Sequence, residues 1–183
     1  MKSAKENQLG IDKALEFRPL RIAVLIISDT RTLETDSSGR YLSEEIEAVG
    51  HYFVSRHIVK DDVSRVRRTV KTYIDDPKID VVITSGGTGL TGRDVTPEAV
   101  NPLIEKMIDG FSVVFHQISF QSIGLSTLQS RAFAGLAKHT LIFCLPGSTG
   151  AVRDGWEKII SPQLDSRYRP CNFVSILTDI NHD

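Results

Sequence analysis

The stretch from Ile79 to Glu98 constrains the fold more than any other, because its conformational character changes twice at defined places. Ile79-Asp80-Val81-Val82-Ile83 is a short apolar run rich in β-branched residues, the composition of a buried strand. Thr84-Ser85-Gly86-Gly87-Thr88-Gly89 follows, where clustered glycines interrupt any regular element. Thr96-Pro97 then sets an N-cap residue before proline at the first helical position. Strand, glycine loop and helix in that order make a β-loop-α unit.

The same unit recurs along the chain. Ile22 to Ile27 is an aliphatic run of strand length, and Asp36-Ser37-Ser38 precedes an amphipathic segment, Tyr41 to Val49, that Gly50 ends. His51 to Val59 reads as a second strand. Asp61 or Asp62 caps a following helix whose Val63, Val66, Val70, Tyr73 and Ile74 share one face. The third helix is expected from about Pro97 to Met107. Phe111 to Phe120 has apolar residues at mixed spacing and Gln121 to Arg131 is polar, so neither predicts an element. Thr140 to Leu145 is a strand ended by Pro146-Gly147, and a last helix, about Ala151 to Ile160, precedes a loose tail.

Alternating strands and helices joined by right-handed crossovers predict an α/β three-layer sandwich around a mostly parallel sheet. A chain of 183 residues suits one such domain. The expected organisation is a flexible polar leader over 1–19 and a single domain over 20–183. Met1 to Arg18 lacks the apolar core of a signal peptide, which predicts a cytoplasmic protein, and no segment reads as membrane-spanning. A formal charge of −1 gives no global reason to expect nucleic acid or anionic membrane. The basic residues Arg65, Arg67, Arg68 and Lys71 read as the solvated face of a helix. Cys144 lies in an apolar run and Cys171 near the C-terminus, a pattern that is neither a disulfide framework nor a metal-binding spacing.

In open α/β sheets ligands bind outside the C-terminal ends of the strands. The loops to be taken together are therefore Ser28-Asp29-Thr30-Arg31, Lys60-Asp61-Asp62, the glycine loop, and Pro146-Gly147-Ser148-Thr149. Glycines 86, 87 and 89 let a ligand approach backbone N–H groups and tolerate the positive φ of an anion nest. A tight turn with no ligand accounts for the same glycines. Neither the P-loop nor the dinucleotide-binding glycine pattern is present.

Thr84-Ser85-Gly86-Gly87-Thr88-Gly89 continuing to Arg93-Asp94-Val95-Thr96-Pro97-Glu98-Ala99, with Ser28-Asp29, Asp36-Ser37-Ser38-Gly39, Gln129-Ser130-Arg131 and Leu145-Pro146-Gly147-Ser148, resembles the MoaB and Mog proteins, the molybdopterin-binding family of molybdenum cofactor biosynthesis. The resemblance runs from about Leu20 to Phe173. Ser126 to Ala132, Pro162 to Asp165 and Arg169 to Phe173 look more like the MoaB branch. The resemblance implies an enzyme that adenylylates molybdopterin with ATP and Mg²⁺ and releases pyrophosphate. With carboxylates present at both expected acid positions, Asp61 and Asp94, the active enzyme is the favoured reading, and an inactive MoaB-type molybdopterin-binding protein or a scaffolding oligomer is the alternative.

By the same resemblance Asp94 and Asp61 are the expected catalytic and Mg²⁺-binding acids, with Asp62 as alternative metal ligand. A divalent magnesium site built from one or two carboxylates plus substrate phosphates accommodates them. Helix capping and turn formation are their structural alternatives. Ser28, Asp29, Gly86, Gly87, Thr88, Gly89, Ser130, Arg131, Pro146, Gly147 and Ser148 are the expected contacts to nucleotide and pterin, with Arg131 offering a donor fork for phosphate. The partners implied are these small molecules and further copies of the chain, as a homotrimer or homohexamer. Phe111, Val113, Val114 and Phe115 suit either such an interface or the core, as does Trp156.

Overall fold

The structure, a computed structural model, describes residues 9–180. Its strands are β1 (Gly10–Ile11), β2 (Arg21–Ile27), β3 (Tyr52–Val59), β4 (Val81–Ser85), β5 (Lys106–Met107), β6 (Phe133–Ala137), β7 (Thr140–Leu145) and β8 (Tyr168–Arg169). Its helices are α1 (Ser37–Ala48), α2 (Val63–Asp75), α3 (Thr96–Val100), α4 (Asp109–Ile123), α5 (Thr149–Gly155), α6 (Ser161–Leu164) and α7 (Phe173–Ile180). The main sheet has the order β3-β2-β4-β7-β6-β5; β3, β2, β4 and β7 run parallel, and β6 and β5 close the edge antiparallel.

Both faces of the sheet are covered, and the strands show it residue by residue. In β2, Ile22, Val24 and Ile26 join one apolar cluster with Leu42 and Ile46 of α1, Phe111 and Phe115 of α4, and Trp156. Ala23, Leu25 and Ile27 join the other with Val66, Val70, Tyr73 and Ile74 of α2 and Ala99 and Val100 of α3. This two-sided burial is why β2, β4 and β7 read as unbroken apolar runs. Burying each large aliphatic side chain contributes roughly 1.5–3 kcal/mol. From β2 the chain crosses one face through α1 to β3, then returns over the other through α2 to β4, on the far side of β2. The gap between the C-terminal ends of β2 and β4 is therefore a topological switch point.

Several sequence expectations are corrected. The helix expected from Pro97 to Met107 ends at Val100 and passes through a 3-10 turn, Asn101–Leu103, into the short strand β5. Pro102 lacks the N–H a continuing helix needs, and Ile104 lies so close to Gly135 that a Cβ there would meet it at 2.4 Å. Phe111 to Phe120 is helical: Phe111, Phe115 and Ser119 face inward while Val113 and Phe120 are 69% and 53% exposed. Apolar residues on both faces hid its period. The loose tail contains α7, whose Val174 and Leu177 are buried and whose start is capped by Asn172 accepting from the Ser175 amide (3.1 Å). Residues 1–8 of the expected leader lie outside the described residues, but residues 9–19 are built in: β1 pairs with β8, and Phe17 packs on His51. Among the described residues no helix is long and apolar enough to cross a membrane.

Candidate functional site

The loop leaving β4 takes its shape from contacts only glycine permits. Gly86 has φ +113°, and a Cβ on it would lie 2.1 Å from the carbonyl oxygen of Ile27 at the end of β2. The loop can therefore press against the neighbouring strand end. Gly89 packs against the Asp94 carboxylate, which a Cβ would meet at 2.7 Å. Thr96 is not the expected N-cap, since the helix begins at Thr96 with Val95 before it. Its hydroxyl donates to the Gly86 carbonyl (2.7 Å) and its amide to that of Gly87 (2.9 Å). The first turn of α3 thus holds the loop by its carbonyls.

Around this loop lies an open cavity of about 620 Å³ at the switch point. Ser28, Asp29, Asp61, Gly86, Gly87, Thr88, Gly89, Asp94, Ser130, Pro146, Gly147 and Ser148 all line it, so loops distant in sequence converge as expected. The serine hydroxyls are oriented by local turns. Ser28 Oγ accepts the amides of Thr30 and Arg31 (3.2 and 3.1 Å), and Ser148 Oγ caps α5 by accepting the Ala151 amide (3.3 Å). An oxygen that accepts a backbone amide still has its own proton to donate, which suits an anionic ligand.

Adjacent acids have separated roles. Asp62 Oδ1 accepts the Arg65 amide (2.8 Å) as N-cap of α2, and it does not line the cavity. Asp61 does line it, half-buried. Burial, followed by the nearby negative charges of Asp29 and Asp94, raises the Asp61 carboxyl above the ordinary aspartate range. For Asp94, burial acts in the same direction but is outweighed by the hydroxyl and amide of Thr91, the Gly89 amide and the Arg131 guanidinium, so its carboxyl is held below that range. Thr91 donates to Asp94 Oδ2 from Oγ1 (2.6 Å) and from its amide (2.9 Å). Asp94 is thus both a member of the turn and a wall of the cavity.

Arg131 is placed otherwise than expected. It does not line the cavity: Nε donates to the Gly89 carbonyl (2.7 Å), Nη2 to that of Asp94 (2.8 Å), and Nη1 pairs with Glu98. Its amide also donates to the Thr88 carbonyl (2.8 Å). Arg131 holds the glycine loop from behind, facing an open groove with Glu98 and His116. The arginines that do line the cavity are Arg31 and Arg93, neither singled out by sequence, with Ser119, Ile123 and Ser126 from α4 and the turn after it. Arg31 was visible as a member of the first strand-end loop. The α4 contribution left no signal, since its helix showed no period.

Among the described residues no three His, Cys, Asp or Glu side chains group closely enough to hold a metal ion unaided. What is present is Asp61, raised by burial and then by the charges of Asp29 and Asp94, a set of carboxylates whose repulsion a hard divalent cation completed by ligand phosphates would relieve.

Such a molecule is a doubly wound α/β protein with a glycine-walled, acid-lined crevice at its switch point. Residues 23–166 match the family described as "Probable molybdopterin binding domain", and the chain belongs to that family. It is 51% identical over 158 residues to molybdenum cofactor biosynthesis protein B of Escherichia coli K12, covering 86% of this chain and 93% of the relative. A crystal structure of molybdenum cofactor biosynthesis protein B superposes with a TM-score of 0.82 at 40% identity, covering 91% of this chain and 98% of that one. The tungsten cofactor synthesizing protein MoaB from Pyrococcus furiosus superposes with a TM-score of 0.71 at 34% identity, over 79% of this chain and 92% of that one.

Proposed function

We propose that the protein acts in molybdenum cofactor biosynthesis by transferring the adenylyl group of ATP to the terminal phosphate of molybdopterin. In that reaction a phosphate oxygen forms a bond to the α-phosphorus and the bond to pyrophosphate breaks. The observation that carries the reading is the meeting of Asp29, Asp61 and Asp94 with the glycine loop in one cavity at the switch point. Relatives named as molybdenum cofactor biosynthesis proteins support the pathway.

The nucleophile is a phosphate monoester, largely ionised near neutral pH, so a strong general base is not required. The task is to bring two anions together in line and offset their charge. Asp61 and Asp94 are the residues to hold Mg²⁺, which when bound supplies charge neutralisation to the phosphates. The glycine loop orients phosphate against backbone N–H groups, and Ser28 and Ser148 donate hydroxyl protons. Arg131 keeps Asp94 in place by holding its carbonyl.

Incubation of purified protein with molybdopterin, ATP and Mg²⁺ is expected to yield adenylylated molybdopterin and pyrophosphate. Demonstrable pterin binding with no product would replace this reading by that of a non-catalytic molybdopterin-binding protein. That second reading is favoured by one observation: the Asp94 carboxylate is already engaged by Thr91.

A further inference from the structure

We propose that Arg31 is a phosphate-binding residue, forming a cationic pole of the cavity separate from the acidic pole at Asp61 and Asp94. Arg31 follows β2 and is held on the cavity wall by three acceptors. Nη1 donates to Ser38 Oγ (2.9 Å) and Asp36 Oδ1 (3.3 Å), and Nη2 to the Gly147 carbonyl (2.8 Å). A guanidinium has more N–H donors than these acceptors consume, so a further fork remains for a ligand.

The charge balance beneath Arg31 supports this role. Asp36 is completely buried, caps α1 through the Gly39 amide (2.9 Å), and lies between Arg31 (3.3 Å) and Arg56 (3.7 Å). One carboxylate is thus shared by two guanidinium groups, so Asp36 is not given over to Arg31 alone. The exposed Glu34 acts on Arg56. Asp36 Oδ2 and Arg56 Nη1 are buried without a hydrogen-bond partner among the described residues, so the arrangement is not the one that satisfies each group best. It does fix the Arg31 fork in one place, which a flexible surface arginine lacks.

The surroundings are suited to an anion as well. Ser38 Oγ donates to the Gly147 carbonyl (3.2 Å), and Ser37 Oγ meets Thr149 Oγ1 (2.8 Å), so the starts of α1 and α5 come together beside Arg31. Arg31 is tied to Asp36, Ser38 and Gly147, whereas Asp94 is tied to Thr91 in the loop after β4, so the two poles stand on different loops of the cavity wall. A cavity with a metal-suited acidic pole and a fixed cationic pole binds a phosphorylated ligand at two points. The ligand at Arg31 is a phosphate oxyanion, from the polyphosphate of a nucleotide or from the phosphate monoester of a pterin. The inference rests on the adenylyl-transfer reading only for that source.

The test titrates full-length protein separately with Mg·ATP, molybdopterin and inorganic pyrophosphate, following the Arg31 Nε–H resonance and the affinities of Arg31→Met and Arg31→Lys. The Arg31→Met change is expected to weaken one of the two substrates by about 10- to 100-fold, with Arg31→Lys intermediate. The substrate weakened identifies the source of the phosphate. Since Arg31→Met removes ties to three groups, the resonance in the unsubstituted protein serves where that variant does not fold. Unchanged affinities together with an unmoved resonance overturn the proposal. A resonance that moves with pyrophosphate in a protein that fails to adenylylate molybdopterin sustains the Arg31 site and removes the reaction assigned above. Absence of binding by all three overturns both.

Discussion

The two ends of the parallel sheet treat their polar groups in opposite ways. At the N-terminal end, Asp80 accepts from the Arg21 backbone amide (2.7 Å), Nε (2.9 Å) and Nη2 (2.6 Å). Beside them the buried His51 accepts the Leu20 amide through Nδ1 (3.1 Å). Each group has its partner within the chain. At the C-terminal end, Asp29, Asp61 and Asp94 face one cavity, where burial and then the charges of Asp29 and Asp94 raise the Asp61 carboxyl. Partnered polar groups stabilise a fold, whereas crowded like charges cost stability and await a ligand. The comparison separates the end that maintains the sheet from the end that uses it.

That contrast can be broken most sharply at Asp61. The Asp61→Asn variant is expected to lose about 10²–10³-fold in kcat for adenylyl transfer, the scale of removing one electrostatic contributor. Its melting temperature should not fall, because ionising Asp61 in the folded state is opposed by burial and neighbouring acids. A variant that turns over normally, or one that melts earlier, would place Asp61 with the structural end.

The next largest effect belongs to His51, whose pKa burial lowers to about 4, with Asp165 acting weakly the other way. The folded state excludes a proton that the unfolded chain binds, so this contribution is present above the ordinary histidine pKa and lost as pH falls from about 6.5 toward 4. The loss is on the order of 3 kcal/mol, and denaturant melts across that window measure it. A His51→Gln variant showing the same drop in stability would move the cause elsewhere.

Asp80→Ala is expected to cost about 2 kcal/mol of stability, since it strips the Arg21 amide and guanidinium of their shared acceptor, while kcat stays within about twofold. Reduced kcat without lost stability would contradict the assignment. The smallest effect is at Asp62, where Asp62→Ala removes an N-cap worth about 1 kcal/mol. Loss of Mg²⁺-dependent turnover in that variant would exchange the roles of Asp61 and Asp62.

Much of the fold was legible where one physical cause dominated. β2, β4 and β7 are buried on both faces, so their composition announces them, and α2 buries one face against the sheet, so its period does. β6 was not legible. Its Phe133-Ala134-Gly135-Leu136-Ala137 has small residues with little strand preference, and it is a strand because antiparallel pairing with β7 and the approach of Ile104 to Gly135 make it one. The candidate site was legible as a set of strand-end loops. The functions of its arginines were not, because Arg31 and Arg131 differ only in where their side chains end.

By itself the sequence determined the alternation of strands and helices, the glycine loop and the loops that would share an edge, because each follows from local composition and from the direction of parallel strands. Only the tertiary structure decided that Asp62 caps a helix while Asp61 faces the cavity, that Arg131 supports the loop from behind, and that Arg31 stands on a buried Asp36 at the opposite pole. Such choices depend on which acceptors a side chain meets across the fold. For Arg31 and Arg131 those acceptors include carbonyls of Gly147 and Gly89, far away in the chain, and no local pattern encodes them.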